Sequence, residues 1–305
     1  MKSLEMVRRA CPVCGTAEDS SVYAEADFDP SRWDAFAFAS RKLPEYMHFS
    51  LVSCPTCDLL YASPMPELDW LRAQYREAGF SSGEESRYAA LTYARHLPRV
   101  LERLPARRAA LDIGAGDGAF VEQLLAAGFA RVQGIEPSRA PLEQAKPEIR
   151  RHLREGFFRA QDFEPGSFSL VTCFQTLEHT DDPAGLCAAS LGLLEPGGAF
   201  YVVAHNRRSV SARLLKHRSP IYDIEHLQLH SPASLRTMFE RAGFVDVHVA
   251  PLSNAYPLAY WVKLLPIPAG LKKVFLFKLD FTRLGKLVIP LRAGNLIGVG
   301  YKPRR

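Results

Sequence analysis

Residues 112–118 read Asp-Ile-Gly-Ala-Gly-Asp-Gly, and this stretch decides how the middle of the chain folds. The apolar run Ala109 to Ile113 leads into it, and a helix-like segment, Ala119 to Ala127, follows it. Glycine lets the backbone turn at positive φ and approach a ligand closely, and the first turn of a helix offers free N–H groups to an anion. Glu136 ends the next apolar run, 22 residues after Gly114, where an acid can bind ribose hydroxyls. The pattern predicts a strand–loop–helix unit that binds a nucleotide-like ligand.

Apolar runs and helix-like segments alternate to about residue 250, which predicts a parallel sheet with helices on both faces. Four of these segments have a recognisable sequence and order, namely Arg159 to Phe163, Phe168 to His179, Leu194 to Val203 and Gly243 to Val249. Together with the glycine loop they resemble the class I S-adenosylmethionine (SAM)-dependent methyltransferases. The resemblance implies an α/β, Rossmann-like sheet that is mostly parallel, with its last strand antiparallel. A nicotinamide-dinucleotide enzyme shares the glycine loop but has no role for the Leu-Glu-His and Glu-Pro-Gly-Gly segments.

The resemblance also implies which residues bind SAM. The loop glycines would line the methionine end, and Glu136 would bind the ribose hydroxyls. An acid and a phenylalanine at the end of the third strand would contact the adenine, and two residues at the end of the fourth strand would close the site. The implied cofactor-binding set is Asp112, Gly114, Gly116, Gly118, Glu136, Pro137, Asp162, Phe163, Phe174 and Gln175.

Two Cys-x-x-Cys pairs lie early in the sequence, Cys11 with Cys14 and Cys54 with Cys57. Four thiolates arranged in pairs suit tetrahedral Zn²⁺, because a two-residue gap lets both sulfurs of a pair face one ion. Disulfides and an iron–sulfur cluster are the alternatives for the same residues. Four protein ligands leave no open coordination position, so we expect a structural rather than a catalytic zinc.

The cysteine module narrows the resemblance. A zinc module followed by Leu60-Tyr-Ala-Ser-Pro-Met-Pro66 is similar to the C-methyltransferases of nucleotide-linked deoxysugars, and shorter zinc-bearing relatives look just as close. These enzymes have a Glu-His pair after the fifth strand, where Tyr222-Asp-Ile-Glu-His226 falls in this chain. The resemblance implies His226 as the general base, supported by Glu225, with Tyr222 nearby. His179, after the fourth strand, is a second candidate, and the competing interpretation of each histidine is a purely structural loop residue.

Positive charge is concentrated in the last part of the chain. The net charge is +5, but 258–305 carries ten Lys or Arg residues against one acid, Asp280. The segment Ala255 to Gly294, which the resemblance makes an insertion before the last strand, mixes these cations with aromatic residues. We expect it to cover the acceptor side and to favour an anionic acceptor, either a diphosphate-linked sugar or a lipid-linked one at a membrane surface. The alternative is a lid whose lysines face water.

These signals divide the chain into three parts. We expect residues 1–66 to form a zinc-binding module and residues 67–108 a helical linker or lid. Residues 109–305 should form the SAM-binding domain, with 255–294 as its insertion. The first residues do not form a secretory signal, and the longest uncharged stretch, Val247 to Val262, is too short to cross a bilayer. We therefore expect a cytoplasmic protein, with the inner membrane face as a candidate surface for peripheral association.

The sequence thus predicts a SAM-dependent methyltransferase that acts on a small molecule or a glycan, such as a nucleotide- or lipid-linked sugar or a secondary metabolite. An RNA methyltransferase is one alternative. Nucleic acid is disfavoured as a partner, because Cys173-Phe-Gln-Thr176 stands where amino-base methyltransferases have an Asn-Pro-Pro-Tyr type of motif. A non-catalytic scaffold of the same fold is the other alternative, against which the intact loop glycines and Glu136 argue.

Overall fold

The computed structural model describes residues 4–17, 20–39 and 44–304 of the chain. The strands within these ranges are β1 (Met6–Val7), β2 (Ser21–Ala24), β3 (Leu51–Ser53), β4 (Leu60–Ala62), β5 (Met65–Pro66), β6 (Ala109–Ile113), β7 (Arg131–Glu136), β8 (Leu153–Glu155), β9 (Phe168–Phe174), β10 (Leu194–His205), β11 (Gln228–Leu229), β12 (Val245–Pro257) and β13 (Val288–Tyr301). The α-helices are α1 (Leu68–Glu77), α2 (Gly83–Ala94), α3 (Leu97–Leu101), α4 (Ala119–Ala126), α5 (Arg139–Gln144), α6 (Pro147–Arg150), α7 (Pro183–Leu193), α8 (Val210–Leu215), α9 (Pro232–Ala242), α10 (Leu258–Leu264) and α11 (Ala269–Phe281).

Seven strands form the central sheet, in the order β12-β13-β10-β9-β6-β7-β8. The strands from β10 to β8 in this order are parallel, whereas β13 runs antiparallel to both β10 and β12. The predicted Rossmann-like fold class is thereby confirmed. The chain passes from β6 outward to β7 and β8 and then returns to the other side of β6 as β9. The carboxyl ends of β6 and β9 therefore flank a topological switch point, which is where open α/β sheets bind ligands.

Apolar residues cover both faces of the central strands. Every residue of β6 and of β9 is buried, as expected for parallel strands with helices on both sides. One core contains residues of α7 and α9 on one face of the sheet, and it includes Cys173 and Cys187. Another core contains residues of α2 and α4. The rigid double-sided packing holds the loops at the carboxyl ends of the strands in fixed positions.

The third strand of the sheet lies earlier in the sequence than predicted. It is β8, Leu153–Glu155, whereas Ala160–Asp162 forms a 3₁₀ turn. β8 is the edge strand of the sheet, and its residues are exposed or half-buried. An edge strand of this kind needs no apolar run, so the sequence pattern does not mark it.

The last two strands extend into the predicted insertion. β12 continues to Pro257 and β13 begins at Val288, and these two residues face each other across the hairpin. The segment 255–294 thus contains the end of a β-hairpin in addition to the helices α10 and α11. Tyr256 is buried in the extended part of the hairpin, and antiparallel pairing satisfies the backbone groups there.

The cysteine module shares its sheet with the rest of the chain. A four-stranded sheet has the order β11-β4-β3-β2, so its edge strand comes from Gln228–Leu229, far along the sequence. The segment 67–108, predicted as a helical linker, holds α1, α2 and α3. The module therefore contacts the segment that follows His226 directly.

Candidate functional site

A cavity of about 700 Å³ opens at the carboxyl ends of β6, β7 and β9. The glycine loop lines one part of it, and residues of α1, α10 and the segment before β11 line the rest. The predicted site residues that line it are Asp112, Gly114, Gly116, Glu136, Pro137, Phe174, Gln175, His179, Glu225 and His226. Four predicted residues, Gly118, Asp162, Phe163 and Tyr222, are not part of its lining.

Two glycines of the loop have different roles. Gly114 has a φ of +75°, and a Cβ at this position would overlap the side chain of Thr176, which follows β9. Gly118, with a φ of +78°, caps the N-terminus of α4, and a Cβ there would overlap Ile149 rather than enter the cavity. Gly114 thus lets the two switch-point loops approach each other, whereas Gly118 lies outside the cavity lining and packs against Ile149.

Glu136 is fixed at the end of β7 by the backbone of two loops. Its Oε2 accepts a hydrogen bond of 2.9 Å from the N–H of Gly116, and its Oε1 accepts one of 2.9 Å from the N–H of Ser138. Hydrogen bonds from backbone N–H groups favour the ionised form of a carboxylate. A carboxylate that is held in this way on the cavity wall can accept hydrogen bonds from the two hydroxyls of a ribose.

On the cavity wall formed by residues 156–161, the structure differs from the prediction for Asp162 and Phe163. The Asp162 carboxylate forms ion pairs with Arg154 and Arg159, and the ring of Phe163 stacks against Phe158. The cavity is lined here by Phe158, Ala160 and Gln161 instead. The cause is the 3₁₀ turn at Ala160–Asp162, which replaces the expected strand end and directs the acid away from the cavity.

Gln175, directly after β9, and Asn254, in β12, have unusual features. Gln175 has a φ of +52°, which is uncommon for a residue other than glycine and occurs at sites where the backbone is held under strain. Within the described part of the chain, the buried Nε2 of Gln175 and the buried Oδ1 of Asn254 have no hydrogen-bond partner. Both residues line the cavity. Buried polar atoms are normally satisfied, so these two atoms are suited to a polar ligand.

Three side chains converge on the other side of the cavity. The ligating atoms of His179, Glu225 and His226 all lie within 4.8 Å of one another. The Nδ1 of His226 is 2.9 Å from the carbonyl oxygen of Ile221, and the Nδ1 of His179 is 3.1 Å from that of Glu225. A ring nitrogen beside a carbonyl must donate, so we assign the proton of each ring to Nδ1 and leave Nε2 as the acceptor. The group can take up a proton, and it could also hold a metal ion.

The Glu225 carboxylate is placed to stabilise a protonated His226. Its Oε1 lies 3.4 Å from the Nε2 of His226, and both side chains are buried. The carboxylate does not stabilise a neutral His226, but the imidazolium that forms when Nε2 takes up a proton gains a charge-assisted contact with it. The pair therefore has the composition of a general base and its supporting acid.

Two further residues at this site were not singled out in the sequence-based site set. The hydroxyl of Tyr75, on α1, donates a hydrogen bond of 2.7 Å to the carbonyl of Glu225, and its ring meets that of His179 edge-on. His205, at the end of β10, has its ring centroid 4.7 Å from that of His226. Tyr75 belongs to no motif, whereas His205 was already a candidate base from the sequence, weaker than His226 and His179.

Tyr222 faces the cysteine module instead of the cavity. Its hydroxyl is 3.2 Å from that of Tyr23, and the two rings stack with their centroids 5.9 Å apart. Burial and the contact with Tyr23 raise the pKa of Tyr222 above its ordinary value. Tyr222 therefore differs from the expectation in that it packs against Tyr23, outside the cavity lining that contains Glu225.

The four cysteines of the module form one cluster. The Sγ atoms of Cys11 and Cys57 are 3.5 Å apart, as are those of Cys14 and Cys54, and all four lie within 4.8 Å of one another. These distances are too long for a disulfide, in which the sulfurs are about 2.05 Å apart. Tetrahedral zinc with Zn–S bonds of about 2.3 Å requires sulfurs about 3.8 Å apart, so the cluster could hold one ion.

Comparison with known proteins identifies the family. A family model described as a methyltransferase domain matches residues 86–249, which is more than half of the chain. The chain belongs to this methyltransferase family. The match begins in α2 and ends in β12, so it spans the glycine loop, Glu136 and the segment that contains Glu225 and His226.

Two curated relatives and one solved structure illustrate the likeness. The methyltransferase is 32% identical over 166 residues to a ubiquinone biosynthesis O-methyltransferase of Aeromonas salmonicida, covering 48% of this chain and 69% of that protein. It is 31% identical over 170 residues to the protein of the same name from Thiobacillus denitrificans, covering 48% and 71%. The YcgJ protein of Bacillus subtilis shares the fold, with a TM-score of 0.50 and 17% identity over 70% of this chain and 98% of that one. These matches show a SAM-dependent methyltransferase but not the narrower resemblance to deoxysugar C-methyltransferases.

The residues around the cavity of the methyltransferase fit SAM. Glu136 offers a fixed carboxylate for the ribose, and the loop at Gly114 and Gly116 borders the same space. The unsatisfied amide atoms of Gln175 and Asn254 are available to the charged methionine end of the cofactor. Asp112 is held by a hydrogen bond of 2.6 Å from the hydroxyl of Thr172.

Proposed function

We propose that this methyltransferase methylates a hydroxyl oxygen of a small acceptor, with His226 as the general base. The observation that carries the proposal is the contact of Glu225 with His226 inside the cavity that also contains the glycine loop. SAM supplies, when bound, an electrophilic methyl group on its sulfonium. A neutral hydroxyl is a weak nucleophile, and a base within hydrogen-bond reach makes it reactive.

The neighbours of His226 suit this role. Its Nδ1–H donates to the carbonyl of Ile221, which fixes the ring and leaves Nε2 to accept the proton of the acceptor. Glu225 then faces the imidazolium, and Tyr75 holds the backbone of Glu225 in place. The names of the two curated relatives, both O-methyltransferases, agree with a hydroxyl acceptor.

A screen with methyl-labelled SAM would test this function. The acceptor panel would contain alkylated phenols, nucleotide sugars, lipid-linked sugars and short RNA. With the best acceptor, we expect His226→Asn to lower turnover by about 10²–10⁴-fold and to leave SAM affinity unchanged, because only the proton transfer is lost. The matched control is His248→Asn, at an exposed position on β12. Near wild-type turnover of His226→Asn would contradict the base, and a strict requirement for added Mg²⁺ would assign the three side chains to a cation.

The far end of the cavity favours an acceptor with an apolar part. Apolar side chains of α8, α10 and the hairpin line it at Leu215, Tyr260, Trp261, Leu264, Leu265 and Leu291. The described lining contains more carboxylates than cations, and it includes none of the lysines of the insertion. The basic charge of the insertion therefore lies outside the cavity, which argues against a diphosphate in the pocket and for an anionic surface outside it.

We further propose that α10 and α11 bind the surface of an anionic membrane from which the acceptor is taken. No residue of α11 is buried, although the helix contains Leu271, Val274, Phe275, Phe277 and Phe281. Phe277 and Phe281 are 73% and 84% exposed. Exposed apolar side chains together with lysines suit an anionic interface, where burial and charge attraction add. Within the described residues, no helix is long and apolar enough to span a membrane.

Vesicle co-sedimentation would test the surface. We expect binding to vesicles of phosphatidylglycerol and phosphatidylcholine, and weaker binding to phosphatidylcholine alone. The double variants Phe277→Ser/Phe281→Ser and Lys272→Glu/Lys273→Glu should each lose it. The control is Val22→Ser, another exposed apolar side chain in a different part of the molecule. If all variants sediment equally with the vesicles, or if the wild type does not sediment with them, the membrane surface is rejected. The segment is then a lid whose lysines face water.

A further inference from the structure

The guanidinium of Arg9 lies where three separate parts of the chain meet. Its Nε donates a hydrogen bond of 3.0 Å to the carbonyl of Ala62 in β4, and its Nη1 donates one of 3.1 Å to that of Asp181. Its Nη2 donates to the carbonyl of Leu227 at 2.8 Å and to Oε1 of Gln228 at 2.9 Å. One side chain thus joins the cysteine module to two loops of the methyltransferase domain.

Those two loops contain the converging side chains of the candidate active site. Asp181 lies two residues after His179, and Leu227 directly follows His226. The loops are also bonded to each other, because the N–H of Leu227 donates to the carbonyl of Glu178 at 2.7 Å. The Gln228 amide, which Arg9 contacts, donates to the carbonyls of Leu177 and Thr180. Arg9 is therefore bonded to both of the loops that hold His179 and the Glu225–His226 pair.

The chemistry of this contact requires arginine. The planar guanidinium has donors in a fixed fork, and here it reaches four neutral oxygens on four residues, which an ammonium on a flexible stem would not do. Desolvation lowers the pKa of Arg9 to about 10, so the group stays charged at neutral pH. The backbone of Arg9 is also tied to the module, since its N–H donates to the hydroxyl of Ser63 at 3.2 Å.

We propose that Arg9 is a positioning residue, through which the cysteine module sets the placement of His179 relative to Glu225 and His226. Arg9 lies two residues before Cys11, whose carbonyl accepts a bond from the N–H of Gly15 in the first Cys-x-x-Cys turn. An ion held by the four sulfurs would fix this turn and with it the start of the Arg9 side chain. The catalytic consequence rests on the proposed function, whereas the positioning itself does not.

The pKa values of the His179 and His226 rings depend on where the rings lie, and they can be measured without a methyl acceptor. We would follow the ring C–H signals of His179 and His226 by NMR against pH, assigned with single substitutions, in the full-length wild type and in Arg9→Met. We expect at least one of the two pKa values to shift by about 0.5 or more, because a ring that moves relative to Glu225 changes its electrostatic environment.

Activity and cofactor binding complete the test. With the best acceptor of the screen, Arg9→Met should lower kcat by up to about 100-fold, the scale of a small misplacement of catalytic groups, while the Kd of SAM stays unchanged. Arg9→Lys should recover only part of the loss, and Arg8→Met, at the exposed neighbouring position, should behave as wild type. If Arg9→Met does not fold, Arg9→Lys, which keeps the charge but lacks the fork of donors, is measured in the same way.

Unchanged histidine pKa values and unchanged kcat in a folded variant would overturn the proposal. A parallel loss of thermal stability and SAM affinity, with the histidine signals in place, would also overturn it by making Arg9 merely structural. A shift of the histidine pKa values in Arg9→Met, combined with normal turnover of His226→Asn, would retain the positioning role and reject His226 as the base.

Discussion

Glu136 is the single residue on which cofactor binding should depend most. Its carboxylate is already held by the N–H groups of Gly116 and Ser138, so it loses little freedom when it accepts bonds from a ribose. We expect Glu136→Ala to weaken SAM binding by about 1–3 kcal/mol, the scale of lost charge-assisted hydrogen bonds. Isothermal titration calorimetry would measure this, with Glu143→Ala as a control on the exposed surface. An unchanged affinity would remove Glu136 from the site.

Glu178 should make the stability of the protein depend on pH. Burial raises the pKa of Glu178 from 4.5 to about 7, although the hydrogen bond that its carboxylate accepts from the N–H of His205 acts in the opposite direction. Between these values the folded state keeps a proton that the unfolded state has lost, so the free energy of unfolding falls as pH rises, by up to about 3 kcal/mol. Glu178→Gln cannot ionise and should lack this decline.

The measurement compares how the free energy of unfolding changes with pH in the wild type and in Glu178→Gln, not the absolute stability of either protein. Denaturant unfolding at pH 5 and pH 8 should show wild type losing stability relative to Glu178→Gln over this interval. Glu164→Gln, at an exposed position, should follow the wild type. Parallel curves for wild type and Glu178→Gln would show that the carboxyl of Glu178 titrates no differently in the folded and unfolded chain.

Part of the candidate site could be predicted from the sequence, and the rest could not, for a physical reason. Gly114 and Glu136 were predictable, because each follows an apolar strand at a spacing that the ligand itself requires. Asp162 and Tyr222 were assigned from position in the sequence alone, and a local turn directs each side chain away from the cavity. Tyr75 reaches the site from α1 through tertiary packing, which leaves no pattern in the sequence.

At the scale of elements, long buried strands were predicted better than edges. β6 and β9 are apolar throughout and were placed correctly, whereas the polar edge strand β8 was placed too late in the chain. The hairpin of β12 and β13 was predicted too short, because its far end depends on pairing between two segments that are separated in the sequence by residues 258–287. Pairing between distant segments, such as β4 with β11, has no local signal at all.

The cysteine module should bind one Zn²⁺ per chain. Elemental analysis of protein purified without chelator is expected to find one equivalent, and Cys14→Ser should lose it together with thermal stability, since the sulfur cluster then lacks a ligand. Cys187→Ala is the matched control, because this cysteine is buried on α7, is not one of the four clustered sulfurs, and its loss should leave the zinc in place. Protein without zinc, or with a cross-linked cysteine pair, would refute the assignment.

The molecule as a whole should unfold in one transition. The module's sheet includes β11, and Arg9 binds both sides of the boundary, so neither part keeps all its hydrogen bonds without the other. Differential scanning calorimetry should give a single peak whose calorimetric and van't Hoff enthalpies agree. Release of zinc, followed with a chelating dye, should coincide with that peak. An early zinc-release step well below the main transition would show an independent module.

The segment 258–287 is attached to the sheet at two residues that already face each other, Pro257 and Val288. Because its ends meet, exchanging it for another helical pair of similar length leaves the closure entropy of the chain almost unchanged. The sheet, the glycine loop and Glu136 lie outside the exchanged part. The junction at Pro257 and Val288 therefore offers a site at which α10, with its part of the cavity lining, can be exchanged while the glycine loop and Glu136 stay in place.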